Sequence, residues 1–456
     1  MAKPRILLAA PKSGSGKTLI TCSLLSALLA RGKKVKAFKS GPDYIDPMFH
    51  KKIIGVPSKN LDLFFADSDT VREIFLREND SDISVIEGAM GLYDGVGGIT
   101  DEASAYHLAK TLCAPIILVI DARGMGRSIL AEISGFLAMD KEHLIKGVIL
   151  NKTSGMFYQT IKPVIEHELD ISVLGYFPVQ KDIVFESRYL GLKLPDEIED
   201  IKEKVKKAGQ EIEKSVDIDK ILEIAECATN LIDERAIESA IALDKEGPVF
   251  RKLREHALLS GKKIAVARDE AFCFYYEDNL AALEASGATL EFFSPLRDEK
   301  IPQGVDAILF GGGYPELFAK QLSENTSMLE DIYRISKTNV RIIAECGGFM
   351  YLHDAIIVDK VKYKMAGVIG GECEKTDRLV RFGYVSIREK RANFLEEDAM
   401  IKGHEFHYFD STSNGESCIA TKPVTGRSWD CIHETHNLFA GFAHLYYLPD
   451  GPKLFA

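Results

Sequence analysis

The sequence has no excess of basic residues: 57 Lys and Arg stand against 68 Asp and Glu, so the 456-residue chain has a formal net charge of −11. Proteins that bind nucleic acids or membrane surfaces need a basic footprint, which this composition does not supply. No apolar run is long enough to cross a bilayer, and the start, MAKPRILLAA, reads as a strand without a signal-peptide cleavage pattern. We therefore expect a cytoplasmic protein that binds neither nucleic acid nor membranes.

The eight cysteines form no Cys-x-x-Cys pair and follow no regular spacing. Such scatter is typical of reduced thiols and argues against a disulfide framework. Internal repeats and low-complexity tracts are absent as well. A hydrophobic content of 46% in so long a chain predicts ordinary folding into two or three domains.

The N-terminal half alternates short apolar runs with amphipathic stretches. Near-continuous apolar strands separated by helices predict a parallel sheet covered on both faces. The predicted strands lie at 6–9, 35–38, 84–86, 116–120 and 147–150, with a helix at 17–31. Glu, Lys, Asp and Ile in helical spacing then predict a helical connector over 196–260.

A second α/β pattern begins at Gly261. Its predicted strands lie at 290–293, 307–310 and 341–344, and its helices at 277–287 and 315–335. Shorter alternating strands beyond about 365 predict the mixed edge of a sheet. The predicted fold class is therefore α/β, with two doubly wound domains at 1–195 and 261–456 joined by the connector.

The run KSGSGKT (12–18) lies between a predicted strand and a helix, which is the context of a phosphate loop. Backbone N–H groups of such a loop surround phosphate oxygens, the lysine reaches the outer phosphates, and the hydroxyl ligates Mg²⁺. Pro11 replaces the usual first glycine, and Lys12 gives the loop its deviant form. The alternative is a Gly/Ser-rich turn before a helix. We expect these residues to bind ATP: Gly14, Ser15, Gly16, Lys17 and Thr18.

Four further polar residues follow predicted strands, where ligands bind in open α/β sheets. Asp43 and Glu87 are candidate Mg²⁺ ligands, and Lys39 is a candidate catalytic cation that neutralises a transferring phosphoryl group. Asn151 is a candidate base-reading residue. The alternatives are a Gly-Pro turn for the first segment, a helix cap for Glu87 and a simple turn for Asn151.

Cys346 follows predicted strand 341–344 and precedes two glycines, a strand-to-helix elbow that exposes a nucleophile beside backbone N–H groups. The run 311–316, GGGYPE, could bring a second backbone donor to the same pocket. His444 is our candidate for the base that activates the thiol. A buried packing cysteine is the alternative. A cysteine nucleophile that releases ammonia from glutamine, in a chain that also binds ATP, predicts ATP-driven amide synthesis.

Other histidines compete for the role of His444. His404 and His407 lie in GHEFHY (403–408), which lacks the i, i+4 spacing of a helical zinc site and is predicted to be a loop that shapes the pocket. His433 and His436 lie in a polar stretch and are predicted to be surface residues.

Taken together, these runs resemble the cobyrinate a,c-diamide synthases over nearly the whole chain. The resemblance implies a P-loop NTPase domain similar to dethiobiotin synthetase and a flavodoxin-like class I glutamine amidotransferase domain. The GPDYID segment differs from that of the sister cobyric acid synthases. The matching runs are SGSGKT (13–18), FKSGPDYIDP (38–47), VIEGAMGLYDG (85–95), DARGMGRS (121–128), ESRYLGL (186–192), ARDEAFCFYYEDNL (267–280), GGGYPELFA (311–319), AECGGFMYL (344–352) and GHEFHY (403–408).

The resemblance implies that the substrates are cobyrinate, glutamine and ATP, and that the a and c carboxylates are amidated in turn. It also implies functional positions. They are Thr18, Asp43 and Glu87 for Mg²⁺, Cys346 as nucleophile and His444 as its base. Where the family usually has a second histidine, this chain has Tyr446, so a third member that orients His444 is not identified. Arg123, Arg127 and Arg188 are candidates for binding the corrin carboxylates or the nucleotide, or are solvated surface residues.

Three alternatives remain open from the sequence. A nickel-sirohydrochlorin or hydrogenobyrinate a,c-diamide synthase would share the reaction and differ in the ring. A partition-type switch ATPase would explain Lys12 but would have no use for AECGGFMYL (344–352). A regulatory glutamine hydrolase would leave the phosphate loop without chemistry. The sequence also leaves a homodimer open.

Overall fold

The computed structural model describes residues 3–77, 79–180, 195–231 and 247–456, with side chains from Asp200 onward in the helix that begins at Pro195. Two compact units divide the chain, the first ending at Gly247 and the second beginning at Pro248. The predicted run 186–192, with Arg188, lies outside the described residues. Within them, no helix is long and apolar enough to span a membrane.

The first unit is built on a seven-stranded parallel sheet with the order β3-β2-β4-β1-β5-β6-β7. Its central strands are buried on both faces, as their continuous apolar sequences predict. The strands are β1 (Arg5–Ala9), β2 (Val35–Ser40), β3 (Ser58–Leu61), β4 (Ile83–Glu87), β5 (Ile116–Asp121), β6 (Ile145–Asn151) and β7 (Ser172–Phe177). The helices are α1 (Lys17–Ala30), α2 (Ile45–Phe49), α3 (Ser68–Leu76), α4 (Ala105–Thr111), α5 (Ile129–Met139) and α6 (Gly155–Leu169).

Two helices of the predicted connector, α7 (Pro195–Ser215) and α8 (Ile218–Glu226), pack on this first unit. Their buried apolar residues, including Ile212 and Ile221, belong to the same core as α1 and the sheet. Gly209 of α7 allows close contact, because a Cβ there would lie 2.6 Å from Ser26 Oγ. The described part of the segment, 196–231 and 247–260, is largely helical as predicted, while the boundaries at 195/196 and 260/261 stay predictions.

The second unit contains a sheet with the order β10-β8-β11-β13-β23-β22. Its first five strands are parallel and, numbered along the sheet's own sequence, follow the flavodoxin-like order 2-1-3-4-5. These strands are β8 (Lys263–Ala267), β10 (Thr289–Phe293), β11 (Ala307–Phe310), β13 (Arg341–Glu345), β22 (His433–Glu434) and β23 (Leu438–Gly441), and a two-stranded ribbon pairs β9 (Phe272–Phe274) with β12 (Gly312–Gly313). The predicted α/β class with two doubly wound sheets is confirmed.

The helix predicted at 315–335 is wrong as a single element. A short 3₁₀ turn (Pro315–Phe318) leads into one helix, and a second begins after Asn325, whose side chain accepts a hydrogen bond from the Met328 N–H. An Asn that caps its own helix start competes with a continuous helix, so the break has a local cause. The helices of this unit are α9 (Pro248–His256), α10 (Glu277–Ala285), α11 (Ala319–Glu324), α12 (Thr326–Ile335) and α13 (Gly347–Tyr351).

Of the strands beyond 365, only β22 and β23 join the six-stranded sheet, and the antiparallel β22 gives it the mixed edge that was predicted. The other strands beyond β13 form two smaller sheets, which were not predicted. One has the order β15-β14-β16-β19 and the other β21-β20-β17-β18-β24. Their strands are β14 (His353–Val358), β15 (Val361–Lys364), β16 (Ile369–Lys375), β17 (Arg381–Glu389), β18 (Met400–His407), β19 (Phe409–Ser411), β20 (Cys418–Thr421), β21 (Ser428–Cys431) and β24 (His444–Leu445).

Candidate active sites

The first candidate site lies at the carboxyl end of the seven-stranded sheet. The phosphate loop joins β1 to α1, and both Gly14 and Gly16 adopt positive φ angles (80° and 94°) that glycine accommodates without strain. Lys39 and Glu87 are register partners near the ends of adjacent strands. Parallel strands end at the same edge of a sheet, so these groups meet at the loop.

A buried ionic network connects the loop to the neighbouring strands. The Thr18 hydroxyl lies 2.7 Å from Glu87 Oε1, and Lys39 Nζ lies 2.9 Å from the same oxygen. Lys39 also pairs with Asp46, and its distance to Asp43 is 3.8 Å. The structure therefore brings together the predicted residues Thr18, Lys39, Asp43 and Glu87.

Opposite charges keep Lys39 and Glu87 of this network ionised. Burial lowers the pKa of Lys39, but Glu87 and Asp46 outweigh it and hold that pKa well above its usual value. Burial likewise works to raise the pKa of Glu87, yet Lys39 and then His50 hold it below its usual value. Both groups are therefore charged at neutral pH, although Glu87 is fully buried.

Two members of this network were not predicted from the sequence. Asp46 is buried beside Lys39, and the imidazole Nε2 of fully buried His50 lies 3.5 Å from Glu87 Oε2. The other ring nitrogen of His50 lies 3.2 Å from Ser58 Oγ. Asp46 lies in the run 38–47 that resembles the family, so this motif could have identified it. No sequence pattern pointed to His50.

Lys17 faces the same edge of the sheet. Its ammonium group donates to the Met90 carbonyl and, at 3.4 Å, to the Lys12 carbonyl. Burial, and then repulsion from Lys39, lower the pKa of Lys17 to about 8. A polyphosphate ligand would oppose both effects, so the loop favours an anion beside Lys17.

Asn151 ends β6 and contacts the phosphate loop directly. Its amide donates to the Ser15 carbonyl (2.7 Å), and a Cβ on Gly16 would lie 2.2 Å from the same amide nitrogen. Lys152 adds bonds to the Gly14 carbonyl and to Asp121. These contacts give Asn151 a role in holding the loop, and its reading of a base stays a prediction.

The residues at this edge fit a hard divalent cation. No group of three or more His, Cys, Asp and Glu with metal-binding geometry occurs among the described residues. Mg²⁺ bound with a nucleotide takes few protein ligands, because phosphate oxygens and water supply the rest. The Thr18 hydroxyl and the Glu87 carboxylate are oxygen donors that converge within 2.7 Å beside the loop, so the donor set suits such an ion.

Arg123 and Arg127 lie in the stretch after β5. Both are exposed, with Arg123 3.7 Å from Asp121 and Arg127 2.7 Å from Glu168. Exposed ion pairs of this kind are weak, so either guanidinium is available to another carboxylate. Their role in substrate binding stays a prediction.

The second candidate site lies where β13 ends. Cys346 has φ 46° and ψ −103°, a strained conformation for a residue with a side chain, and helix α13 begins immediately after it. Its own N–H donates to the Gly441 carbonyl (2.8 Å), and the Gly348 N–H donates to the Gly311 carbonyl (3.0 Å). The predicted nucleophile elbow is therefore present, with the glycine run 311–313 against it.

His444, the first residue of β24, packs against the same glycines. A Cβ on Gly312 would lie 2.2 Å from His444 Cε1, and one on Gly347 would lie 3.0 Å from Gly313 N. The ribbon residues Gly312 and Gly313 thus contact both the histidine ring and the residue that follows Cys346.

Residues 403–407 of the run 403–408 belong to strand β18, so the loop predicted there is wrong. His404 pairs across the strands with His444, and their rings stack at 4.9 Å with an angle of 17°. The Tyr276 hydroxyl lies 3.2 Å from His404 Nδ1. Tyr446 packs edge-on against Tyr276 at 5.9 Å.

The surface prediction for the remaining histidines holds only for one of them. His436 is exposed, whereas His433 is half-buried and lies 3.0 Å from Ser413 Oγ.

Burial sets the protonation of the candidate pair. Burial, and then Glu316, raise the pKa of the Cys346 thiol well above its usual value. Burial lowers the pKa of His444 to about 3, with a smaller contribution from His407. At neutral pH the pair is therefore a thiol and a neutral imidazole, which is the form of histidine that can accept the thiol proton.

Two family models match the chain. Residues 6–194 match the CobQ/CobB/MinD/ParA nucleotide binding domain, and residues 263–452 match the CobB/CobQ-like glutamine amidotransferase domain. A cobyrinate a,c-diamide synthase of Caldanaerobacter subterraneus subsp. tengcongensis is 38% identical over 98% of this chain and 97% of its own. Those of Listeria innocua (38%) and Picrophilus torridus (39%) align over 97% and 98% of this chain and 96% of their own.

This chain belongs to the cobyrinate a,c-diamide synthase family. The resemblance recognised in the sequence is thereby confirmed. In this member of the family the nucleotide-binding match contains the phosphate loop, Lys39, Glu87 and Asn151, and the amidotransferase match contains Cys346 and His444.

Proposed function

We propose that this chain uses ATP to amidate the a and c carboxylates of cobyrinate, with glutamine or ammonia as nitrogen donor. The observation that carries the proposal is the pair of built strand-end sites, one around Lys17 and Glu87 and the other around Cys346 and His444. The relatives described above are named for the same activity, as cobyrinate a,c-diamide synthases. Such synthesis belongs to cobalamin formation.

The first unit would activate the carboxylate. A carboxylate is a poor electrophile, so transfer of the ATP γ-phosphoryl group converts it to an acyl phosphate, which ammonia attacks with loss of phosphate. Lys17 and Lys39 would spread the charge of the transferring group. Lys39 is already held charged by the fully buried carboxylate of Glu87, which supports this role.

Mg²⁺ would be held by Thr18 and Glu87, with Asp43 near the same lysine. The ion would supply positive charge to the phosphate oxygens and orient them. The protein's own contribution is to fix the oxygen donors before the ligand arrives. Asp43 accepts from the N–H groups of Ile45 and Asp46 (2.8 and 3.2 Å), which fixes its carboxylate.

The second unit would release ammonia from glutamine. The Cys346 sulfur attacks the side-chain carbonyl as His444 takes the thiol proton, and His444 returns a proton to the departing ammonia. Water then hydrolyses the thioester and frees glutamate. Backbone N–H groups of the glycine runs around Cys346 would stabilise the oxyanion.

We assign carboxylate activation to residues 1–195 and glutamine hydrolysis to 261–456, and place both in the cytoplasm, where reduced thiols persist. Arg123 and Arg127 would bind carboxylates of the ring. The same chemistry suits nickel-sirohydrochlorin or hydrogenobyrinate, so the acceptor ring is decided by assay.

The test replaces Cys346 with Ala and measures amidation of cobyrinate with glutamine and then with an ammonium salt. The first reaction should be lost and the second should remain, because only the ammonia source is removed. Loss of both in a folded protein would contradict the two-site proposal.

The companion change is Lys17→Ala. It should abolish amidation from either nitrogen source and leave glutamate release measurable, since the glutaminase chemistry does not use the phosphate loop. Parallel assays with hydrogenobyrinate and nickel-sirohydrochlorin, under the same conditions, identify the preferred ring.

A further inference from the structure

The residues that follow His444 are held by polar side chains of two other elements. Asn279, on α10, donates to the Leu445 carbonyl (2.8 Å) and accepts from the Tyr447 N–H (2.8 Å). Glu345 accepts from the Tyr447 hydroxyl and from the Leu445 N–H. The backbone at 445–447 is therefore fixed on both sides by buried hydrogen bonds.

Glu345 differs from Asn279 in its place in the chain. It is the last residue of β13 and directly precedes Cys346, whose strained φ of 46° needs a rigid surrounding. A side chain that leaves this strand and binds the residues after His444 connects the two halves of the pair. Glu345 and Tyr447 are both buried, so water does not compete for these bonds.

We propose that Glu345 is a positioning residue of the glutaminase centre, whose carboxyl group fixes the segment of His444 relative to the elbow of Cys346. The inference rests on the proposed function. It supplies an orienting group from β13 for the segment that carries His444.

The protonation of Glu345 is consistent with this role. Burial raises the pKa of Glu345 to about 8, so its carboxyl is mostly neutral at pH 7. An ionised Glu345 would raise the pKa of the adjacent Cys346 thiol further, as Glu316 and Glu405 also do. A neutral carboxyl accepts the two hydrogen bonds without placing a negative charge beside the developing thiolate.

The decisive measurement is glutamate release from glutamine by the full-length protein carrying Glu345→Ala or Glu345→Gln. The Ala variant should lose about 100-fold in kcat, the usual effect of misplacing a catalytic group by about 1 Å. Its KM for glutamine should stay nearly unchanged. The Gln variant keeps an oxygen acceptor and should stay within about fivefold of the wild-type kcat.

A second readout follows the thiol itself. The rate of alkylation of Cys346 by iodoacetamide, measured against pH, reports the ease of thiolate formation. Above about pH 8 the alkylation rate of the wild-type protein should rise less steeply than that of Glu345→Gln. Glu316 and Glu405, whose pKa values are about 7, are already ionised in both proteins, and only the wild type ionises a further carboxyl beside the sulfur. Tyr447→Phe, which removes one donor and keeps the ring, should lower kcat by about fivefold.

Glu389→Gln is the matched control. Glu389 is a buried glutamate of the same unit that accepts from the N–H groups of Phe394 and Leu395, and neither bond involves the elbow or His444. This variant should leave kcat and the alkylation profile unchanged. The fluorescence of Trp429, the single tryptophan, which lies on β21 of the same unit, should match that of the wild type in all variants, which shows that this unit is folded.

Glutamate release by Glu345→Ala within threefold of wild type would overturn the proposal. An equal loss of kcat in Glu345→Ala and Glu345→Gln would overturn it as well. The same holds if Tyr447→Phe keeps the wild-type kcat and Glu345→Gln also keeps the wild-type alkylation profile. Glutamate release and alkylation need neither ATP nor a corrin. A failure of the proposed amidation would appear only in the assays that contain ATP and a corrin. It is therefore distinguishable from a failure of the role proposed for Glu345.

Discussion

At the residue scale, Gly312 shows how closely the glutaminase site is packed. A Cβ at this position would lie 2.2 Å from His444 Cε1. We therefore expect Gly312→Ala to displace the imidazole and to lower glutamine-dependent amidation about 100-fold, with ammonia-dependent amidation retained. Gly370→Ala is the control, because a Cβ there meets nothing within 4 Å. Equal glutamine-dependent rates in the two variants would contradict the expectation.

Single residues could be predicted where chemistry and chain position coincide. Lys39, Glu87 and Cys346 end or follow buried strands, and a charged or nucleophilic side chain at that place has a short set of explanations. Glu345 stood beside Cys346 in a recognised run and was still missed. The role proposed for Glu345 depends on Tyr447, a partner about a hundred residues away, and no local sequence pattern indicates that contact.

At the element scale, the contact of α7 with α1 joins the predicted connector to the first unit. Gly209→Leu would insert a side chain where a single Cβ already comes 2.6 Å from Ser26 Oγ. We expect the first unit to lose about 1–3 kcal/mol in free energy of unfolding, the usual cost of overpacking. Urea unfolding followed by circular dichroism measures this loss.

Gly135→Leu provides the control for that experiment. Gly135 lies within α5, where an added Cβ meets nothing within 4 Å, so the change should be neutral or slightly stabilising. Unfolding midpoints that fall equally for both variants would refute the close α1–α7 contact as the cause.

Whole elements were predicted best where periodicity is strong and local. The central parallel strands of both sheets are continuous apolar runs, and a buried strand explains them directly. The edge strands β3, with the sequence SKNL, and β7 were not predicted. The failures have tertiary or capping causes. The run 403–408 lacks the i, i+4 spacing of a helical zinc site and was predicted to be a loop, yet pairing with β17 and β24 makes residues 403–407 a strand. The break at Asn325 depends on one side-chain cap.

At the scale of the whole molecule, the second unit buries carboxyl groups and histidines whose pKa values are shifted in opposite directions. Burial raises the pKa of Glu345 to about 8 and the pKa values of Glu316 and Glu405 to about 7. Burial also lowers the pKa of His444 to about 3 and that of His407 to about 4. The histidines cost stability only below their unfolded pKa of about 6.5, so above it the carboxyl groups dominate.

Proton binding determines whether the second unit gains or loses stability between pH 6.5 and 8. A carboxyl with a raised folded-state pKa keeps its proton in the folded protein and loses it on unfolding. Its stabilisation is full below about pH 4.5 and is lost as pH rises through the folded-state value. We therefore expect the second unit to be less stable at pH 8 than at pH 6.5, by on the order of 2 kcal/mol.

The chain offers a probe that reports this unit alone. Its single tryptophan, Trp429, lies on β21, with the guanidinium of Arg381 4.9 Å from its ring centre. Denaturant unfolding followed by Trp429 fluorescence at pH 6.5 and pH 8 measures the difference directly. Glu345→Gln removes the group with the highest of these pKa values and should shrink the difference by about half, because Glu316 and Glu405 are already about half ionised at pH 7 and each lose less stability over this range. A second unit that is equally stable at both pH values would show that these carboxyl groups ionise freely in the folded protein, and that burial does not hold Glu345 neutral beside Cys346.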